Sequence, residues 1–286
     1  MRLFISIVML LSSLTVQAIE VVDDSGHTVT LEAPAQRIIS LAPHITEQLF
    51  AIGAGERIVG AVEYSDYPEA AKQIPRIGGY TGFDLERILS LRPDLIVGMT
   101  GGNSAQQLEQ LEKLGLILYR SEPRQLEDIA SGMERLGVLT GTATEAGLEA
   151  ERFRHGVERL RRGVEKRTPR TLFYQIWDRP LMTVNGTGLI NEVLTLCGGR
   201  NVFAELSPPN PKISIEAVIA ADPEVIIVSG MGQARPEWLD EWRRWPQLQA
   251  VKQGELHVVE PSIIQRATPR LLLGAEAICG AINSHK

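Results

Sequence analysis

Along the first part of the chain, short apolar runs alternate with segments whose apolar residues recur every three or four positions. The runs RIISLA, IVGAVE, DLIVGM and LILYR predict strands, and ITEQLFAIGAG, DLERILSL and SAQQLEQLEKLG predict helices. Turn chemistry marks the boundaries. Thr46 is placed to cap the first helix, Gly53 and Gly55 to close it, and Pro93 to end the second by disfavouring helix at Arg92. Ahead of them, Val22-Asp23-Asp24-Ser25-Gly26 reads as the turn of a small hairpin. Strands alternating with helices imply a parallel sheet covered on both faces.

The texture changes at Gly141. TATEAGLEAERFRHGVERLRRGVEKR lacks proline, is dense in charge and carries a narrow apolar seam at Phe153, Val157, Leu160 and Val164. That spacing is one face of a long helix, which Thr168-Pro169 stops. About 25 residues of helix reach roughly 38 Å, the breadth of a domain rather than of one layer. We read it as a stiff connector between two α/β segments, with an ordinary surface helix of a single domain as the alternative. Alternation then resumes in TLFYQI, GLINEVLTLCGG, IEAVIAA and EVIIVSG.

DLERILSLRPDLIVGM, beginning at Asp84, and SIEAVIAADPEVIIVSGM, beginning at Ser214, are nearly one phrase, with Glu86 and Glu216 at matching places. A weaker echo pairs TEQLFAIGAG with NEVLTLCGGR. Two copies so far apart do not make a solenoid. The expected fold class is α/β, with two Rossmann-like lobes that have parallel sheets joined by one long α-helix. Its divisions fall at 19–140 for the N-terminal lobe, 141–168 for the connecting helix and 169–286 for the C-terminal lobe.

With 44% apolar and 22% charged residues, the 286-residue chain has an ordinary globular composition. A net charge of −6 and the lack of any Lys/Arg run argue against nucleic acid as a partner. The opening MRLFISIVMLLSSLTVQA has Arg2, an apolar run from Leu3 to Leu11, and small residues Val16 and Ala18 before Ile19. This layout predicts a cleavable secretory signal over residues 1–18, its apolar run being short for a membrane span. Export gives Cys197 and Cys279 two possible states. They form a disulfide closing about 80 residues, worth roughly 4 to 5 kcal/mol in the chain-entropy model, or they stay buried as free thiols.

A two-lobed chain suits either an enzyme working between its lobes or a receptor holding a ligand there. No GxSxG elbow, GxxxxGK[ST] loop, HExxH or GxGxxG after a strand is present, so no catalytic residues are assigned. His27, His44, His155, His257 and His285 lack cysteines or carboxylates at coordinating spacing, so no metal site is assigned. Only His44 is placed suggestively, in the APHITE turn after the first strand, where parallel-sheet ligands bind; a turn or capping role is the plainer reading. GMTGGNSAQQL could present backbone N–H groups to an anion, or be a plain strand-to-helix turn.

Tyr64, Tyr67, Tyr80, Phe83 and Trp177 fall in strand-to-helix connections, where flat side chains suit a large rigid ligand or ordinary packing. Trp238, Trp242 and Trp245, spaced 4 and 3, predict a packed helix face. Glu86 and Glu216 lie near helix N-termini, where the dipole favours negative charge. Their equivalence across two lobes also suits a two-fold symmetric partner, one glutamate per subunit.

In joint order, RIISLAPHITEQLFAIGAGERIVG, YSDYP, DLERILSLRPDLIV, TGGN, NEVLTLCGGRNVF, the Glu216 segment and RATPRLLL resemble one family from about Arg37 to Ile282. It is the periplasmic substrate-binding proteins of ABC importers with a helical backbone, especially the BtuF-type cobalamin-binding proteins. The resemblance implies a soluble periplasmic receptor, not an enzyme, that carries cobalamin as transported ligand, uses no cofactor, and docks on an ABC permease dimer. It implies ligand contacts at Tyr64, Tyr80, Trp177 and Arg266 and at the position of Ile263, docking through Glu86 and Glu216, and a Cys197–Cys279 disulfide; His44 joins the ligand candidates through its place after the first strand. The chain departs from the cobalamin branch at Asn210, where a tryptophan is expected, and at Ser262 and Ile263, where an aspartate and an aromatic residue are expected. These changes keep a ferric siderophore or haem open as ligand, with Arg266, Arg179 and Arg120 as candidate cations. A two-lobed corrinoid or metal-cluster enzyme is the alternative from another class.

Overall fold

The computed structural model describes residues 18–79, 82–230 and 237–284. Apart from Ala18, the expected secretory signal lies outside the described residues, as does Tyr80. The chain opens with the expected hairpin, β1 (Ile19–Val22) and β2 (Thr28–Leu31), in whose turn Asp23 accepts from the backbone N–H groups of Ser25 and His27. Then come β3 (Ile38–Ser40), α1 (Pro43–Ala51), β4 (Ile58–Ala61), the short pair β5 (Gly78–Gly79) and β6 (Gly82–Phe83), α2 (Leu85–Ser90), β7 (Leu95–Met99), α3 (Ala105–Lys113) and β8 (Leu118–Ser121). Strands β4-β3-β7-β8 form a wholly parallel sheet. Helix α1 starts earlier than expected, with Ala42 as its cap, because Pro43 is pre-set for the first helical position. Thr46 therefore lies inside the helix, its buried hydroxyl bonded to those of Ser40 at 2.8 Å and Ser65 at 3.1 Å.

Two antiparallel helices follow. α4 (Leu126–Thr140), a helix the periodicity reading did not single out, ends at Gly141, whose φ of 69° lets the chain reverse. α5 (Ala143–Val164) is the long helix, 22 residues and so about 33 Å. Its apolar seam is buried at Phe153 and Val157. A Cβ on Gly137 of α4 would come 2.3 Å from that of Ala146 on α5, so only glycine permits this approach.

The second half contains β9 (Arg170–Asp178), β10 (Leu181–Thr183), α6 (Leu189–Leu196), β11 (Gly199–Asn201), α7 (Ile215–Ala221), β12 (Val225–Val228), α8 (Trp238–Glu241), α9 (Gln249–Gln253), β13 (Leu256–Val258), α10 (Pro261–Ile264) and α11 (Leu271–Ile282). The sheet runs β10-β9-β12-β13, with β11 beside the first part of β9. It is parallel except for β10, which the turn at Asp178–Leu181 folds back against the end of β9. The three tryptophans pack together as expected, but on a short α-helix and the 3-10 turn after it rather than on one helix face: Trp242 is buried edge-on to Phe173, centroids 5.6 Å apart, with Trp238 and Trp245 packed around the same cluster.

Neighbouring strand residues point to opposite faces, and the two faces have different destinations. Ile39, Ile96, Phe173 and Ile226 join outer cores, one for each lobe. Ile38, Leu95, Leu172 and Ile227 join a single inner core with Leu136 of α4, Phe153 of α5, Leu194 of α6 and Ile278 of α11. The lobes are thus fused through one apolar layer. The repeat is structural too: Asp84 and Ser214 cap α2 and α7 by accepting from the backbone N–H groups of Arg87 and Ala217.

Cys197 at the end of α6 and Cys279 in α11 form the disulfide, closing a sequence separation of 82. Replacing both by serine should lower the unfolding free energy by about 2–4 kcal/mol, read from urea titration under non-reducing conditions. An unchanged midpoint would show that the inner core alone fixes α6 against α11.

Candidate functional site

Where α1 meets the start of α11, one buried carboxylate holds two arginines from the opposite lobe. Glu47, 3% exposed, accepts from Arg266 Nη1 at 2.7 Å and from Arg270 Nε and Nη2 at 2.9 Å each. Arg266 also donates to Asp66 Oδ1 at 2.8 Å and to the Tyr64 carbonyl at 3.1 Å. Arg270 lies 3.7 Å above the Tyr67 ring, and the adjacent Gln48 donates to the Ala267 carbonyl at 2.7 Å. Burial alone would raise the Asp66 pKa, but the Arg266 hydrogen bond and charge bring it below the usual range.

Tyr64 stands beside this cluster with 74% of its surface exposed and a φ of 64°. A bulky residue held in the left-handed region costs on the order of 1–3 kcal/mol, and the Arg266 bond to its carbonyl helps hold it there. An exposed ring on a fixed backbone is a platform for a flat ligand. Trp177 is separate, near the end of β9, 37% exposed, with its indole N–H donating to the Arg179 carbonyl at 3.0 Å. Ile263 is half-buried in α10, and Asn210 is exposed. Phe83, grouped with the connection aromatics from sequence, is 6% exposed and belongs to the N-terminal outer core. The TGGN segment has the plain-turn form: Asn103 accepts from the Met99 N–H and donates to the Leu41 carbonyl.

Glu86 and Glu216 are exposed in the first turns of α2 and α7. Hydrogen bonds from its own backbone N–H and then from Ser214 hold the Glu216 carboxyl below its usual range. Among the described residues, no three His, Cys, Asp or Glu side chains are grouped to hold a metal. Sequence reading passed over Glu47, Asp66 and Arg270. Their available signal was a Glu-Gln pair inside the apolar run ITEQLF and two arginines four apart in RATPR.

His44 does not face the solvent. It is 6% exposed in the first turn of α1, and its Nε2 has no hydrogen-bond partner among the described residues. Burial first, and the charge of Arg266 second, lower its pKa from 6.5 to about 4. The folded chain thus refuses a proton that the unfolded chain accepts as pH falls from 6.5 to about 4. Across that window this histidine removes roughly 3 kcal/mol of stability, none of it lost above pH 6.5. His44→Asn should therefore lose less stability than the parent between pH 7 and pH 4.5, compared by urea midpoints; equal losses would contradict the assignment.

Comparison with known proteins follows the same pattern. A family model described as periplasmic binding protein matches residues 38–262. Vitamin B12-binding protein of Vibrio vulnificus (strain CMCP6) is 37% identical over 257 residues, covering 88% of this chain and 92% of the relative. The protein of the same name from Yersinia pestis (strain Pestoides F) is 38% identical over 252 residues, 88% of each chain. The crystal structure of periplasmic vitamin B12 binding protein BtuF of Vibrio cholerae superposes with a TM-score of 0.80 at 34% identity, covering 88% of this chain and 98% of the other. Periplasmic heme-binding protein RhuT from Roseiflexus sp. RS-1 shares the fold, with a TM-score of 0.77 at 23% identity, covering 87% of this chain and 98% of the other. The chain belongs to the periplasmic binding protein family.

Proposed function

We propose that this protein is a periplasmic receptor that binds cobalamin between its lobes and delivers it to a dimeric ABC importer permease. It works without a cofactor and without catalysing a reaction, as a soluble protein once residues 1–18 are removed. The lobes correspond to residues 19–140 and 169–286, with 141–168 connecting them. Tyr64, Tyr80 and Trp177 offer aromatic faces to the corrin, Arg266 a directed donor and Ile263 an apolar contact, while His44 supports the site from beneath. The relatives named for vitamin B12 binding support the choice of ligand.

The observation that carries the choice between cobalamin and an anionic iron chelate is the state of the three candidate cations. Arg120 pairs with Glu112 at 2.8 Å, Arg179 with Glu241 at 3.2 Å, and Arg266 with Glu47 and Asp66 at 2.7 and 2.8 Å. Each of the three is already paired with a carboxylate, so among the described residues none of these candidates stands as an unpaired cation to draw in an anionic chelate. Cobalamin's carboxamide-fringed corrin asks instead for stacking area and hydrogen bonds. Glu86 and Glu216, exposed at equivalent places in the repeat, are positioned to meet one basic group on each permease subunit.

Calorimetric titration of the mature protein with cyanocobalamin should give nanomolar affinity and no product, with a ferric siderophore and haem binding far more weakly. Tight binding of either iron chelate with none of cyanocobalamin would overturn the reading. Replacing Glu86 and Glu216 together by lysine should leave cyanocobalamin affinity unchanged and abolish uptake into cells carrying the transporter. Normal uptake by that variant would remove the docking role.

A further inference from the structure

Arg266 is more than a cation at the lobe junction, because its surroundings decide what it can recognise. A guanidinium has five N–H donors. Nη1 serves Glu47 and Asp66, and Nη2 serves the Tyr64 carbonyl. Nε and the second Nη2 hydrogen make no hydrogen bond among the described residues, while the side chain keeps 17% exposure. Two carboxylates, Glu47 and Asp66, stand against two guanidiniums, Arg266 and Arg270, and the neighbouring His44 is neutral. The cluster is balanced in charge while still having donors to spare.

We propose that Glu47 and Asp66 are specificity-determining positioning residues: by neutralising Arg266 and fixing its plane, they make it a donor for an uncharged carbonyl oxygen and set the site against carboxylates. This rests on the reading of the protein as a cobalamin receptor, and it names what part of that ligand is read. An uncharged carboxamide accepts the spare N–H groups at no electrostatic cost. A carboxylate in the same place adds a third negative charge beside Glu47 and Asp66, set against only two guanidiniums. Without the two acidic residues, Arg266 would prefer the anion, since charge-assisted pairs are the stronger ones.

The probes are cyanocobalamin and its monocarboxylic acids, in which one peripheral propionamide is hydrolysed to a carboxylate. For at least one isomer, the parent protein should bind the acid at least about tenfold more weakly than cyanocobalamin at pH 7.5, a difference of about 1.4 kcal/mol. Glu47→Gln and Asp66→Asn should each shrink that ratio several-fold, and Glu47→Asp, which restores the charge, should recover part of it. Asp66 has a half-exposed side chain (52%), so Asp66→Asn provides a folded variant even if Glu47→Gln fails to fold. General structural damage lowers both affinities together and leaves the ratio unchanged, so the ratio isolates the positioning role. A parent that binds every acid as well as cyanocobalamin, or a ratio that Asp66→Asn leaves unchanged, overturns the inference alone. A parent that binds neither corrinoid overturns the functional reading, and the inference with it.

Discussion

Everything in this molecule depends on the inner faces of two sheets sharing one apolar layer. Leu95 and Leu172 come from different lobes, yet both are fully buried in the core that Phe153 and Ile278 fill from α5 and α11. Apolar contact is worth about 25 cal/mol per Å², so peeling the lobes apart by even about 200 Å² costs roughly 5 kcal/mol. A nanomolar ligand has only about 12 kcal/mol to spend in total. A hinge motion that exposed such an area would consume a large part of that.

The duplicated sequence supplies the polar counterpart of that layer. In the weaker echo of the repeat, Glu47 on α1 matches Glu192 on α6. Both cross to the other lobe, but toward different partners: Glu47 takes the two arginines ahead of α11, and Glu192 accepts from the Leu126 N–H at the start of α4 at 2.6 Å. Burial raises the Glu192 pKa against the lowering effect of that N–H. Matching positions of the echo thus join the lobes twice. Among the described residues, the copy beside the exposed Tyr64 is hydrogen-bonded to two guanidiniums and the other copy to a backbone N–H.

The pattern of apolar residues made the architecture legible because each lobe repeats a strand-helix phrase and because α5 is a long polar helix with a thin apolar seam. The disulfide was legible as one of two states for a pair of cysteines in a chain that reads as exported, and as what the family resemblance implies. Helix α4 escaped notice although Leu126, Ile129, Met133 and Leu136 hold its helical spacing, since the change of texture at Gly141 drew attention to the helix that follows. The start of α1 moved because Pro43 outweighs Thr46 as a starting signal. The Glu47–Arg266–Arg270 cluster was illegible for a different reason: Glu47 lies 219 and 223 positions from the two arginines, and local pattern cannot say which carboxylate meets which arginine. Glu86 and Glu216 were visible because the repeat itself aligns them.

The central claim is that the two lobes hold one fixed relationship whether or not a ligand is present. Spin labels at Gln106→Cys in α3 and Lys252→Cys in α9, both exposed and in opposite lobes, report it directly by electron–electron dipolar distance measurement. The account predicts a single narrow distribution in the free protein that moves by less than about 2 Å on adding saturating cyanocobalamin. A broad or two-peaked distribution in the free protein that collapses to a shorter distance with ligand would contradict it.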